Sequence, residues 1–112
     1  MRPSLGIGTV IRRYGEAVGR RERLKPVEVS PDWPMVPLSD PVHESVRFYV
    51  LNLTQAIGER SIRSASELTQ VNYSTLHAVL RGDAWPDAIT VARTEQGLRA
   101  RLWDGPVALP ED

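Results

Sequence analysis

Five prolines, Pro26, Pro31, Pro34, Pro37 and Pro41, fall within sixteen consecutive residues. Each removes a backbone donor and fixes one φ angle. The cluster predicts no helix over 26–40 and no central strand. Residues 31–38 are expected to run extended, close to polyproline II. Trp33, Met35, Val36 and Leu38 would then lie along the protein's own helical core, or along a partner subunit. The prolines therefore divide the chain. Residues 1–25 form an arm, 26–40 a linker, 41–104 the one segment able to build a core, and 105–112 a tail expected to be loose.

Beyond the linker the pattern is helical. Asp40 suits an N-cap and Pro41 the first helical position. Val42, Val46, Tyr49, Val50, Leu53 and Ile57 recur with a helical period, and Gly58 suits the residue after a helix end. A first helix over about 41–57 follows, with this stripe on the core. His43, in its first turn, is expected in solvent, because no second His or carboxylate stands at metal spacing on that face. Ser61 caps a second helix that runs to about Thr69. Ile62, Ala65 and Thr69 would face the first helix, Ser66 would allow close approach, and Arg63 and Glu67 would be exposed. Gln70, Val71 and Asn72 form a turn with Val71 as its buried plug. Asn72 caps a third helix, Tyr73 to Arg81, which stops at Gly82. Asp87 caps a fourth, Ala88 to about Gly97, whose stripe is mixed: Ile89, Ala92 or Arg93, and Gln96, beside Val91 and Leu98. Trp85 and Trp103 are expected to cover the core or its rim. The expected fold is all-α, a compact four- to five-helix bundle containing a helix-turn-helix.

The third helix carries the functional reading. Leu76, Val79 and Leu80 form its inner face. Tyr73, Ser74, His77, Ala78 and Arg81 form its outer face, with Thr75 nearer the edge. Solvated faces are normally rich in Glu and Lys, and this one has neither. Short hydrogen-bonding groups near a helix N-terminus can reach base edges or phosphates in a groove, and Arg81 can pair with phosphate or with guanine.

Composition narrows the alternatives. Of 112 residues none is Cys, so disulfides, thiolate metal sites and a Cys nucleophile are excluded. With two His and no carboxylate pair offering a credible catalytic set, no enzyme is expected, and neither is a metal or cofactor. No apolar run is long enough to span a membrane, and the first residues lack a secretion signal's apolar core, so a cytoplasmic (nucleoid) location is expected. Net charge is zero, but its distribution is not even. Residues 1–25 carry seven basic side chains against two acidic ones. Residues 102–112 carry Asp104, Glu111 and Asp112 and no base.

The arm admits two readings. A helix over 12–24 would align Tyr14, Ala17, Val18, Arg21 and Leu24, although Gly15 and Gly19 weaken it. An extended arm or hairpin fits as well. Its arginines suit a solvated tail, or an arm in which Arg12, Arg13, Arg20, Arg21 and Arg23 reach phosphates or a minor groove.

Residues 40–103 resemble the DNA-binding domain of the Cro and lambda-repressor (Xre-like) family, in particular small helix-turn-helix proteins of actinomycete-type bacteria. The resemblance rests on Asp40-Pro41-Val42, Ser61 to Ser64, Ser74-Thr75-Leu76, Trp85-Pro86-Asp87 and Leu102-Trp103. It implies that Asn72, Tyr73, Ser74, His77 and Arg81 face DNA, that Thr75 meets phosphate, and that Arg63 contacts the backbone. It also implies a homodimer on double-stranded DNA, acting as a transcription regulator or a small nucleoid-associated protein. Two departures stand out. Ser66 replaces the family's usual Ala, and Gln70 replaces the Gly that usually opens the turn. If that position needs φ > 0, Gln70 is strained by roughly 1 kcal/mol. The other function open to the chain is an antitoxin-like or adaptor module, with Trp33, Trp85 or the proline segment as its contact surface.

Overall fold

A computed structural model of the chain describes residues 23–107. The arm residues Arg12, Arg13, Arg20 and Arg21 lie outside the described residues. Those described form five helices and no strand: α1 Pro26–Val29, α2 Pro41–Ile57, α3 Ile62–Thr69, α4 Tyr73–Arg81 and α5 Ala88–Leu98.

Local caps set the boundaries of α2 to α4. Asp40 accepts from Val42 N at 2.8 Å, Ser61 from Ser64 N at 3.0 Å and Asn72 from Ser74 N at 2.8 Å. Each satisfies one backbone donor that a helix start leaves open. At the far ends, Gly58 has φ +62° and Gly82 φ +82°. Gln70 stands in the left-handed region at φ +63°, ψ +23°. The strain that was conditional in the sequence is therefore present. Replacing Gln70 with Gly should relieve it and raise stability by about 0.5–1 kcal/mol, read from the midpoint of urea unfolding. Loss of stability instead would show that the Gln70 Nε2 bond to Glu67 O, 2.9 Å, outweighs the backbone strain.

The core gathers Tyr49, Val50, Leu53 and Ile57 of α2 with Ala65 of α3, Val71 of the turn, Leu76 and Val79 of α4, and Leu102. Val42, expected on the same stripe, is 70% exposed. The inward face of α5 also differs from expectation. Thr90 and Thr94 are buried, while Ile89 is 60% exposed and Ala92, Arg93 and Gln96 face out. Buried threonine is tolerated because its hydroxyl is satisfied. Thr94 Oγ1 bonds Thr90 O at 2.9 Å and shares a 2.8 Å bond with the Tyr49 hydroxyl.

The proline segment is not an extended linker. Pro26 occupies a first helical position, where no donor is required, and α1 follows. Glu28 Oε1 closes this single turn by accepting from Lys25 N at 2.8 Å. Turns then bring Trp33 into the core at 8% exposure, so it covers its own domain. Met35 and Val36 remain exposed and Leu38 packs against the core. Leu24 and Lys25, read as part of the arm, are already tied in: Trp85 Nε1 donates to Leu24 O at 2.7 Å. This segment, residues 24–38, forms a strap that reaches the carboxyl end of α4, where Val27 N donates to Gly82 O at 3.1 Å. A Cβ on Gly82 would lie 2.7 Å from atoms of both Trp33 and Val27.

A buried ion pair fastens the strap to α2. Arg47 meets Glu44 through two bonds of 2.7 Å and donates a third, of 3.0 Å, to Pro34 O. Glu44 Oε1 also accepts from Leu38 N at 2.8 Å. The Arg47 guanidinium, helped by the Leu38 N–H, holds the Glu44 carboxyl below its ordinary range against the opposing effect of burial. His43, expected in solvent, is half-buried and stacks on Trp85 at 4.8 Å between ring centres. The tail begins attached rather than loose, since Val107 N donates to Ser45 Oγ at 2.8 Å.

Candidate nucleic-acid interface

α3, the turn and α4 set the geometry of the candidate face. The turn is tied back to α3 through both backbone polar groups of Val71. Ser66 Oγ donates to Val71 O, and Thr69 Oγ1 accepts from Val71 N at 3.3 Å. Val71 is thereby held as the buried plug between the helices. Leu76 and Val79 anchor the inner side of α4 at 0% and 1% exposure. With that side fixed, the helical period turns Tyr73, Ser74 and Arg81 outward. All three are exposed, Thr75 is exposed as well, and His77 and Ala78 are half-buried.

Three of the candidate residues form one stack. The Arg63 guanidinium lies 5.1 Å from the centre of the Tyr73 ring. The Tyr73 and His77 rings are 5.7 Å apart and nearly parallel, at 13°. Tyr73 and His77 stand four positions apart, the spacing at which helical side chains meet. Arg63 comes from the start of α3, so the stack bridges the two helices. A cation over an exposed ring is worth about 0.5–1 kcal/mol, enough to bias Arg63 toward one orientation without burying its charge.

The other candidates are disposed differently. Asn72 spends its side-chain oxygen on capping Ser74 N, so its amide NH2 is what remains for a ligand. Ser74 and Thr75 stand exposed beside the stack with no side-chain hydrogen bond among the described residues. Arg81 stands two turns beyond Tyr73, about 12 Å along the axis. Its Nε lies 3.7 Å from Asp83 Oδ2, with both side chains well exposed. At that distance the pair is a loose electrostatic contact and not a hydrogen bond. The sequence reading overlooked Asp83 as the counter-charge of Arg81, although the spacing of two was visible. It also overlooked the anchoring of Leu24, which joins positions 61 residues apart and leaves no local signal.

No family model, no curated protein and no solved structure matches the chain. Functional inference therefore rests on the residues and their geometry. The face carries two guanidiniums, the Tyr73–His77 ring pair and three short polar side chains, Asn72, Ser74 and Thr75. α4 itself contains no acidic residue. Such a surface can donate to phosphate oxygens and base edges and can lay flat rings or methyl groups against bases. Among the described residues no group of three His, Cys, Asp or Glu side chains is placed to hold a metal, and no helix is long and apolar enough to cross a membrane.

Proposed function

We propose that the chain binds double-stranded DNA with α4 in the major groove, as a transcription regulator or a small nucleoid-associated protein of the Xre-like type. The observation that carries this reading is the acid-free outer face of α4, joined by Arg63 stacked on Tyr73. In this reading Ser74, His77 and the Asn72 amide address base edges, Thr75 and Arg63 meet phosphates, and Arg81 trades its loose contact with Asp83 for phosphate or guanine. The strap supports a role for the basic arm. Because Leu24 is held by Trp85 and Val27 by Gly82, the arm starts from the carboxyl end of α4, with Arg23 and Lys25 exposed. The protein would work as a homodimer on paired half-sites in the nucleoid.

Selection of bound duplexes from random DNA tests the reading. A recurrent, two-fold related motif is expected. On the selected site Arg81→Ala should weaken binding by about tenfold and relax preference at one position, whereas Arg63→Ala should weaken all sequences alike and lower the salt slope by about one. Recovery of no motif, with both variants binding like the wild type, would remove α4 as the reading helix. Removing residues 1–22 should leave the fold intact, lower affinity and flatten the salt dependence.

A further inference from the structure

A second basic surface lies off the DNA face, where the carboxyl ends of α3 and α5 meet. It is an open groove of about 940 Å³ whose walls include Arg60, Leu68, Arg93, Leu98 and Arg99. None of its lining residues is acidic. Among the described residues the ion pairs join His43 to Asp40, Arg47 to Glu44 and Arg81 to Asp83, so none uses a groove arginine. We propose that this groove docks an acidic peptide segment of a partner protein, one in which carboxylates flank an apolar side chain.

Two of the arginines are set in place before any ligand arrives. Arg60 Nη1 donates to Ala56 O at 3.0 Å and to Ile57 O at 3.3 Å. Arg93 Nη1 donates to Gln70 O at 3.3 Å. Each guanidinium is pinned by one nitrogen to a helix-end carbonyl, and its Nε and Nη2 make no hydrogen bond among the described residues. A pinned fork loses little further freedom on binding, and a guanidinium can take a carboxylate through two parallel bonds. Helix carboxyl ends oppose anions, but each carries only about half a negative charge, whereas the groove holds three full positive ones.

The apolar wall favours a peptide over a nucleic-acid backbone. Leu68 is 47% exposed and Leu98 stands beside it, and a phosphate chain has no side chain to cover them. The position agrees. Arg63, at the amino end of α3, belongs to the recognition stack, and Leu68 lies five residues on, about 7–8 Å along the axis. The groove is thus offset from the stack, and through Gln70 it reaches to within two residues of Asn72. The proposal is independent of DNA binding by α4.

The probe is a fluorescein-labelled peptide alternating Glu or Asp with Leu, titrated with the full chain by anisotropy, beside a Lys-for-Glu control. The acidic peptide should bind and the basic one should not. Arg93→Gln combined with Arg99→Asn, which keeps a residue tolerant of the left-handed backbone at 99 (φ +56°), should weaken binding about tenfold. Leu68→Ser should weaken it severalfold, and both variants should melt cooperatively and hold duplex DNA within twofold of the wild type. No binding of the acidic peptide, or equal binding by the variants, would overturn the proposal. Loss of duplex affinity in the Arg93/Arg99 variant, with peptide binding unchanged, would assign the groove to the nucleic-acid backbone instead.

Discussion

Gly97→Ala is expected to destabilise the protein by about 3 kcal/mol, the upper part of the range for overpacked cores. An alanine Cβ there would lie 2.5 Å from Leu68 O and from Thr69 Cα, and 2.9 Å from Leu68 C. The opposing atoms are backbone, so no side chain can rotate out of the way. Either α5 moves off α3 or the end of α3 gives. The sign is informative, because in an exposed helix interior the same substitution stabilises by about 1 kcal/mol. Urea unfolding should show a lower midpoint with an unchanged slope, and the melting temperature should fall by roughly 15 °C. A gain in stability would show that α5 does not sit against α3. The consequence reaches the proposed DNA face, since α3 supplies both Arg63 and the buried end of the turn that aims α4.

Arg47→Met should cost about 2 kcal/mol, because it leaves the Glu44 carboxylate under the strap with only the Leu38 N–H as partner. The pH dependence separates this from simple loss of packing. In the wild type the folded carboxyl titrates below its unfolded value of about 4.3. Its stabilising contribution is therefore complete above that value and fades as pH falls through the folded one. In the variant, burial without the guanidinium pushes the carboxyl up, and acid relieves the penalty. The stability gap between the two proteins should thus narrow from neutral pH to pH 4 and below. Glu95, held low by the Trp103 and Leu102 N–H groups, and Asp87, held low by Thr90, titrate in both proteins and cancel in the difference. A gap independent of pH would mean that the Arg47 stem, and not its charge, holds the strap.

Much of this fold was legible because the signals were local. Asp40-Pro41, Ser61, Asn72 and Gly82 each act within one helical turn, and the boundaries of α2, α3 and α4 fell where they indicated. The misreadings have physical causes. Prolines forbid a helix interior but not a first position, so Pro26 could open α1. Thr94 is polar, yet it returns its hydroxyl to Thr90 O and so buries little unsatisfied polarity, and Ile89 was left outside. Glu44 and Arg47 stand three apart on α2, a spacing that by itself does not tell a buried pair from an exposed one. Their burial depends on Pro34 and Leu38, which fold back over them through a strap that no periodicity encodes. At the site, the outward set on α4 followed from one helical stripe. The Arg63–Tyr73–His77 stack did not, because it depends on how α3 crosses α4.

The most direct test of α4 as a DNA-reading helix is an amide NMR titration of the full chain with a selected duplex at low salt. The expected result is that signals of Arg63, Asn72 to His77 and Arg81 shift first and broadest, while those of Arg60, Leu68 and Arg99 around the second groove stay in place. Absence of shifts along α4 at any salt concentration, or shifts confined to other surfaces, would contradict it.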